Sequence, residues 1–307
     1  MKRVDRHKPK RLWLKIPLII ILLIGIGIAG YAYSIYHNAK KTVNDKIHDP
    51  VESIDTSVAK EKLQNTEPVN ILLLGIDAET GEQGRSDALM ILSLHPKNEE
   101  MQLISIPRDT RTTIVGKGVE DKINHAYAFG GTDMAVATVE NFLNIELDYY
   151  VSMNMQGLQE LVDELGTITV NNEIEWNDGT YDFKKGPIEM DGTQTMHFVR
   201  MRKQDPEGDF GRTKRQRKVI LGIIDRGATV GSIPKINGTI DILGNNMTTN
   251  MDFDDMKTLF NGYGDTRNHF TSYMMEGTGT TIDGTYYMIV PEEEIEKVHR
   301  MIAEPTS

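Results

Sequence analysis

The longest apolar stretch of the chain covers residues 16–36, 21 positions without a charge. As a helix, at about 1.5 Å rise per residue, it reaches roughly 31 Å, the thickness of a hydrocarbon core. Eleven of its residues are Ile or Leu, enough to favour insertion despite Pro17 and three glycines. Residues 37–67 are polar and charged, lack a strong apolar face, and read as a stalk closed by Pro68. Short apolar runs bounded by turn residues then predict strands at 69–74, 89–94, 103–106, 149–153 and 168–170, and near 269–275 and 286–290. Helical spacing predicts helices over 132–143, 158–165, 211–229, 252–260 and 291–302. This alternation implies an α/β fold, a central mixed β-sheet flanked by helices on both faces, forming one domain over 68–307.

Charge sharpens the picture at the N-terminus. Seven of the 34 Lys+Arg but only one of the 45 Asp+Glu precede residue 37, so a basic stub (1–15) leads into a body of charge −17. All seven cations stand before the apolar stretch, with Trp13 at one end and Tyr31, Tyr33 and Tyr36 at the other. That arrangement predicts a single-pass anchor over 16–36, its N-terminus cytoplasmic and its large domain outside the cell membrane. A cleaved signal peptide and a buried core helix are the alternatives; the stretch is long for the first, and no clear A-x-A site follows it. The absence of cysteine excludes a disulfide-stapled fold, and the acidity excludes a general nucleic-acid binder.

Familiar catalytic patterns are missing. There is no cysteine nucleophile, G-x-S-x-G elbow, H-E-x-x-H or P-loop, so zinc hydrolases, serine hydrolases and P-loop nucleotide enzymes fit poorly. The most informative segment is 200–218, where eight cations and three anions give a local charge of +5. In an extended chain Arg200 and Arg202 share one face, with Val199 and Met201 on the other. In the helix that follows, at about 100° per residue, Arg212, Arg215 and Gln216 fall on the same stripe as Val219 and Ile223, and Lys214 and Lys218 lie opposite. Arginines on an inward stripe need a counter-charge. Internal carboxylates (Asp205, Glu207, Asp209) are one source; an anionic ligand of phosphate type, suited to arginine forks near a helix N-terminus, is the other.

Three further segments supply compatible groups. Asp77 follows a buried strand and Asp87 opens the next, two hard oxygen ligands able to hold Mg²⁺ against a phosphate. Pro107 ends a strand and aims Arg108 from its tip, with Asp109 beside it. Lys122 and Asn124 precede a helix. Taken singly, each also reads as an ordinary cap, loop or surface residue.

In order along the chain, Leu74-Gly-Ile-Asp77, Gly84-Arg-Ser-Asp87, Ser105-Ile-Pro-Arg-Asp109, Lys122-Ile-Asn-His-Ala-Tyr127 and Arg200-Met-Arg with Gly208-Asp-Phe-Gly-Arg-Thr-Lys-Arg-Gln216 resemble the LytR–CpsA–Psr family of bacterial cell-envelope proteins. Arg217 departs from that pattern, where a second glutamine is common. The resemblance implies transfer of an anionic glycopolymer, such as wall teichoic acid, from a polyprenyl-pyrophosphate carrier to peptidoglycan, with a hydrophobic slot for the prenyl chain. It implies Mg²⁺ (or Mn²⁺) near Asp77 and Asp87, and pyrophosphate contacts from Arg85, Arg108, Lys122, Arg200, Arg202, Arg212, Arg215 and Gln216. Arg108, Arg200 and Arg202 are the expected catalytic cations, and either Asp109 or Asp209 is the expected base. Phosphoryl transfer needs positioning and charge neutralisation more than a covalent nucleophile, consistent with the empty nucleophile search. A pyrophosphatase with the same arginines, and a non-enzymatic prenyl-phosphate-binding regulator, remain the rival readings.

Overall fold

In a computed structural model of the chain, residues 15–77, 84–227, 229 and 235–303 are described, with side chains from residue 29 onward. In chain order the helices and strands are α1 (Lys15–Thr42), α2 (Thr56–Gln64), β1 (Val69–Asp77), β2 (Arg85–His95), β3 (Glu100–Ile106), β4 (Arg111–Ile114), β5 (Val119–Lys122), α3 (His125–Leu143), β6 (Tyr149–Asn154), α4 (Met155–Leu165), β7 (Ile168–Asn172), β8 (Trp176–Asn177), β9 (Asp182–Phe183), β10 (Gly186–Met190), α5 (Gly192–Arg200), α6 (Asp209–Gly227), α7 (Ile236–Asn246), β11 (Met247–Thr249), α8 (Phe253–Gly262), β12 (His269–Met274), β13 (Thr278–Ile282), β14 (Thr285–Ile289) and α9 (Glu292–Ala303).

Six strands form one mixed sheet in the order β11-β6-β1-β2-β3-β12. Strands β1, β2 and β3 run antiparallel in succession, while β6 joins β1 and β12 joins β3 in parallel. Alternation along the strands assigns the two faces. Leu72, Leu74, Ile76, Leu89 and Ile91 pack against α3 and α9, whereas Val69, Ile71 and Leu94 pack with Leu63, Met251 and Tyr263. A third core, built on Trp176, Phe183, Phe198 and Val219, joins α4, α5 and α6 to the β7–β10 pair. The expected mixed sheet, covered by helices on both faces, is present.

The stretch expected to be a stalk is built differently. Residues 43–47 form a short π-helix and α2 follows; Val43, Ile47, Val51, Ile54, Ala59 and Leu63 are all buried. Apolar side chains spaced this widely show no face in a linear reading, yet each finds a neighbour once the tail folds back. Tyr36 packs edge-on against Phe253 at 5.2 Å, and a Cβ at Gly244 would meet Thr42, so α1 lies close on α7 and α8. The span expected over 16–36 falls within α1, and the side chains of 15–28 lie outside the described residues. Among the described residues no helix is long and apolar enough to cross a membrane.

Two local features position the site. Gly75 pairs with Ala88 and Ile76 with Ser86, leaving Asp87 unopposed in a β-bulge. Bulges re-aim side chains out of a regular ladder, and a Cβ at Gly75 would crowd that of Ala88. The segment 200–208 turns from α5 into α6 through Gly208 at φ +58°, a left-handed conformation that glycine adopts readily.

Candidate active site

Three chain segments converge at the ends of β2 and β3. The Asp87 bulge presents Oδ2 to Arg108 Nη1 at 2.7 Å and Oδ1 to Asn124 Nδ2 at 3.3 Å. Arg108 and Asp109 stand in a turn after Pro107, locked by the Thr110 hydroxyl donating to the Pro107 carbonyl at 2.7 Å and by the Asn124 N–H donating to the Arg108 carbonyl. Lys122 Nζ reaches Asp109 Oδ1 at 2.7 Å. From the other side comes α6, whose first residue Asp209 meets Arg212 Nη2 at 2.8 Å and Arg202 Nε at 3.7 Å. Carboxylates in a first helical turn are favoured by the helix dipole. The result is one cluster of Arg108, Lys122, Arg202 and Arg212 with Asp87, Asp109 and Asp209.

The cluster is under-compensated. Burial works against the charge of Arg108, but Asp87, Asp209 and Asp109 outweigh it and hold its pKa above the ordinary arginine value. For Arg212 burial wins: its pKa is pulled down, with Asp209 opposing and Arg108 adding repulsion. Both guanidinium groups keep a buried Nε–H without an acceptor. The carboxylate oxygens facing Arg108 Nε, from Asp209 and Asp109, stand at 3.6 and 3.8 Å, beyond hydrogen-bond range. Unsatisfied buried donors on cations are costly, and an anion supplying oxygens would relieve the cost.

Next to the cluster runs an apolar groove of about 230 Å³ between the sheet and helices α4 and α6. Leu73, Met90, Val151, Leu158, Val219 and Ile223 are among its walls, and Asn154 and Gln216 are its polar lining residues. Ala88, beside Asp87, also lines it, and Gln216 sits one helical turn from Arg212. One wall of the groove is thus adjacent in the chain to Asp87, and another lies one helical turn from Arg212. Gln216 Oε1 is buried there without a partner.

The other expected contacts are distributed unevenly. Asp77 and Arg85 face each other across β1 and β2, both exposed at the strand ends, and Arg200 is exposed at the end of α5. None of the three enters the ion-pair cluster among the described residues. Arg215 is turned away from it. Its guanidinium pairs with Asp205 and is held by the carbonyls of Phe198 (2.9 Å from Nε) and Met201 while lying over Trp176. A Cβ at Gly211 would overlap the Asp205 carboxylate, which explains glycine at that place. For Arg215 the internal-carboxylate reading of the stripe holds, because α5 closes over it.

Arg217 was expected on neither the inward nor the solvated stripe. It is buried, with Nη1 donating to Ser105 Oγ at 2.9 Å and in contact with Met274 at 3.5 Å, and burial lowers its pKa against the weak pull of Glu173 and Glu207. It is buried because α6 is covered twice, by the third core and by the sheet. Sequence reasoning placed a strand near 286–290 but missed its partner β13 and the hairpin that joins β13 to β14. Its Met288 N–H donates to the Asp109 carbonyl at 2.8 Å, tying a motif-free tail to the site; the Asp283-Gly284 pair, both at positive φ, was the sequence signal for its turn.

The chain belongs to the LytR_cpsA_psr family, whose family model matches residues 30–304. It is 43% identical over 305 residues, 98% of each chain, to a Bacillus subtilis (strain 168) protein named polyisoprenyl-teichoic acid–peptidoglycan teichoic acid transferase TagU. A crystal structure of B. subtilis TagU matches with a TM-score of 0.65 at 42% identity, covering 78% of this chain and 96% of that one. A structure described as TagT bound to LIIa-WTA matches with a TM-score of 0.66 at 29% identity, covering 84% and 95%.

Proposed function

We propose that this chain is a phosphotransferase that moves an anionic glycopolymer of the wall teichoic acid type from a polyprenyl-pyrophosphate carrier to peptidoglycan. One observation carries the reading: an apolar groove lined by Ala88 and Gln216 runs beside Asp87 and Arg212, in a cluster whose arginines keep buried donors without acceptors. A lipid diphosphate, apolar tail joined to a dianionic head, is the ligand that satisfies both halves. The names of the relatives agree with it.

In the proposed reaction a peptidoglycan hydroxyl oxygen attacks the phosphorus bound to the polymer. The new P–O bond forms as the bond to the polyprenyl phosphate breaks, and the hydroxyl proton passes to a carboxylate, Asp109 or Asp209. Arg108, Arg202 and Arg212 orient the diphosphate and stabilise the charge on the departing phosphate. Mg²⁺ (or Mn²⁺) fits beside them: Asp87 has lone pairs left after its two partners, the buried Asn124 Oδ1 has no partner, and Asp77 lies at the neighbouring strand end. Bound there, the ion would neutralise diphosphate charge, with phosphate and water completing its shell. We further propose that residues 16–36 anchor the domain on the outer side of the cell membrane, where a lipid-linked donor resides; protease added to intact protoplasts should then remove the large domain.

The decisive experiment combines full-length protein, lipid-linked donor, Mg²⁺ and peptidoglycan oligomers. Polymer covalently joined to glycan is expected, and Arg108→Ala should reduce transfer by about 10²-fold or more while the protein remains folded by circular dichroism. Polymer released into water with none on glycan would establish the pyrophosphatase instead, and unaltered donor in the wild type would establish a binding protein.

A further inference from the structure

A second cleft, of about 360 Å³, is bounded by the 107–109 turn, the start of α6 and the β13–β14 hairpin. It shares no lining residue with the groove, but Asp109, Arg202 and Asp209 belong to both the cluster and this cleft. Its charged lining comprises those three and Glu207, three carboxylates against one arginine. Such a balance repels phosphate and offers acceptors to hydroxyl groups. Two aromatic rings, Tyr286 and Phe210, complete the walls.

Tyr286 is 46% exposed, and its ring is seated rather than loose. A Cβ at Gly279 on the neighbouring strand would meet the Tyr286 hydroxyl oxygen at 2.6 Å, so the ring rests directly on glycine backbone. The hairpin in turn is held to the reacting loop through the Met288–Asp109 hydrogen bond and the Thr110–Met288 bridge. A fixed aromatic surface beside several carboxylates suits a neutral pyranose ring, apolar on its C–H face and hydroxyl-rich at its edge.

We infer that this cleft is the acceptor subsite, and that Tyr286 is the platform on which a sugar ring of the peptidoglycan glycan stacks. The inference rests on the transferase reading above and adds where the acceptor binds. A glycan seated there brings a hydroxyl to Asp109 and Asp209 through a cleft that shares no lining residue with the groove. Separate clefts for the acceptor and the prenyl tail are what an in-line displacement, with attack and departure on opposite sides of the phosphorus, requires.

The test uses the full-length chain in detergent and an uncrosslinked peptidoglycan glycan oligomer as the probe. Tyr286→Ala is expected to weaken calorimetric binding of the oligomer, and to raise its KM, by about tenfold or more. The KM for the lipid-linked donor should stay within about twofold, and Tyr286→Phe should behave as wild type. Unchanged oligomer binding in Tyr286→Ala, an equal rise in donor KM, or no oligomer binding by the wild type would overturn the inference. A wild type that binds the oligomer through Tyr286 yet only hydrolyses the donor would support the cleft and sink the transferase reading, so the two failures are distinct.

Discussion

Arg202, Arg212 and Arg215 look alike in the sequence, and the structure gives them unlike tasks. Arg215 is enclosed, its charge matched by Asp205 and its remaining donors by main-chain carbonyls. Removing it strands a buried carboxylate, so Arg215→Ala should lower stability by about 3–5 kcal/mol, seen as a fall in the urea midpoint. Arg202 is exposed and its nearest carboxylate oxygen stands at 3.7 Å. Arg202→Ala should leave the midpoint unchanged while transfer falls by about 10²-fold. Helical periodicity identified which arginines face inward; it could not tell which would meet a carboxylate already there, because Asp205 lies ten residues away in a turn.

At the level of elements, the stretch before Pro68 is part of the domain. Leu63 and Ala59 of α2 insert beside Val69, Ile71 and Tyr263, and Lys62 pairs with the buried Asp148 at 2.6 Å. Leu63→Ala should therefore cost about 2–5 kcal/mol, as for a core leucine, whereas a residue in a true stalk would cost almost nothing. Thermal melting of the two forms decides between these outcomes. The strands at the centre of the sheet were legible because buried on both faces they read as continuous apolar runs. In the tail hairpin β14 was legible but its partner β13 was not, since Thr278–Ile282 is mostly exposed and has no apolar run.

The whole molecule carries an excess of acidic groups, and some of that charge sits where the fold resists it. Glu140 is held above the usual carboxylate range chiefly by burial, with Glu146 and Asp148 adding repulsion, although the Leu147 N–H donates to it at 2.9 Å. A carboxyl group with a raised folded pKa favours the native state when protonated, and that contribution is lost as pH rises through the folded value. Glu140→Gln, which keeps an acceptor for Leu147, should raise the melting temperature at pH 7–8. The gain should shrink toward zero as pH falls below the ordinary glutamate range, and a constant difference across pH would refute this account. The cluster at the active site stands apart from that general acidity, with cations that its carboxylates only partly satisfy.

The sequence by itself determined the class of sheet, the position of the apolar N-terminal segment, and the motifs that mark the family, because each is encoded in local periodicity or in contiguous residues. It also located the cationic segment that starts α6. Tertiary structure alone decided which of those cations remain available for a ligand, since availability depends on partners brought from distant segments: Asp87 from a bulge, Asp205 from a turn, Lys122 from a short strand. It alone set the groove beside the segments that carry the arginines, and it alone carried the C-terminal hairpin, distant in sequence and without a motif, to the edge of the reacting groups.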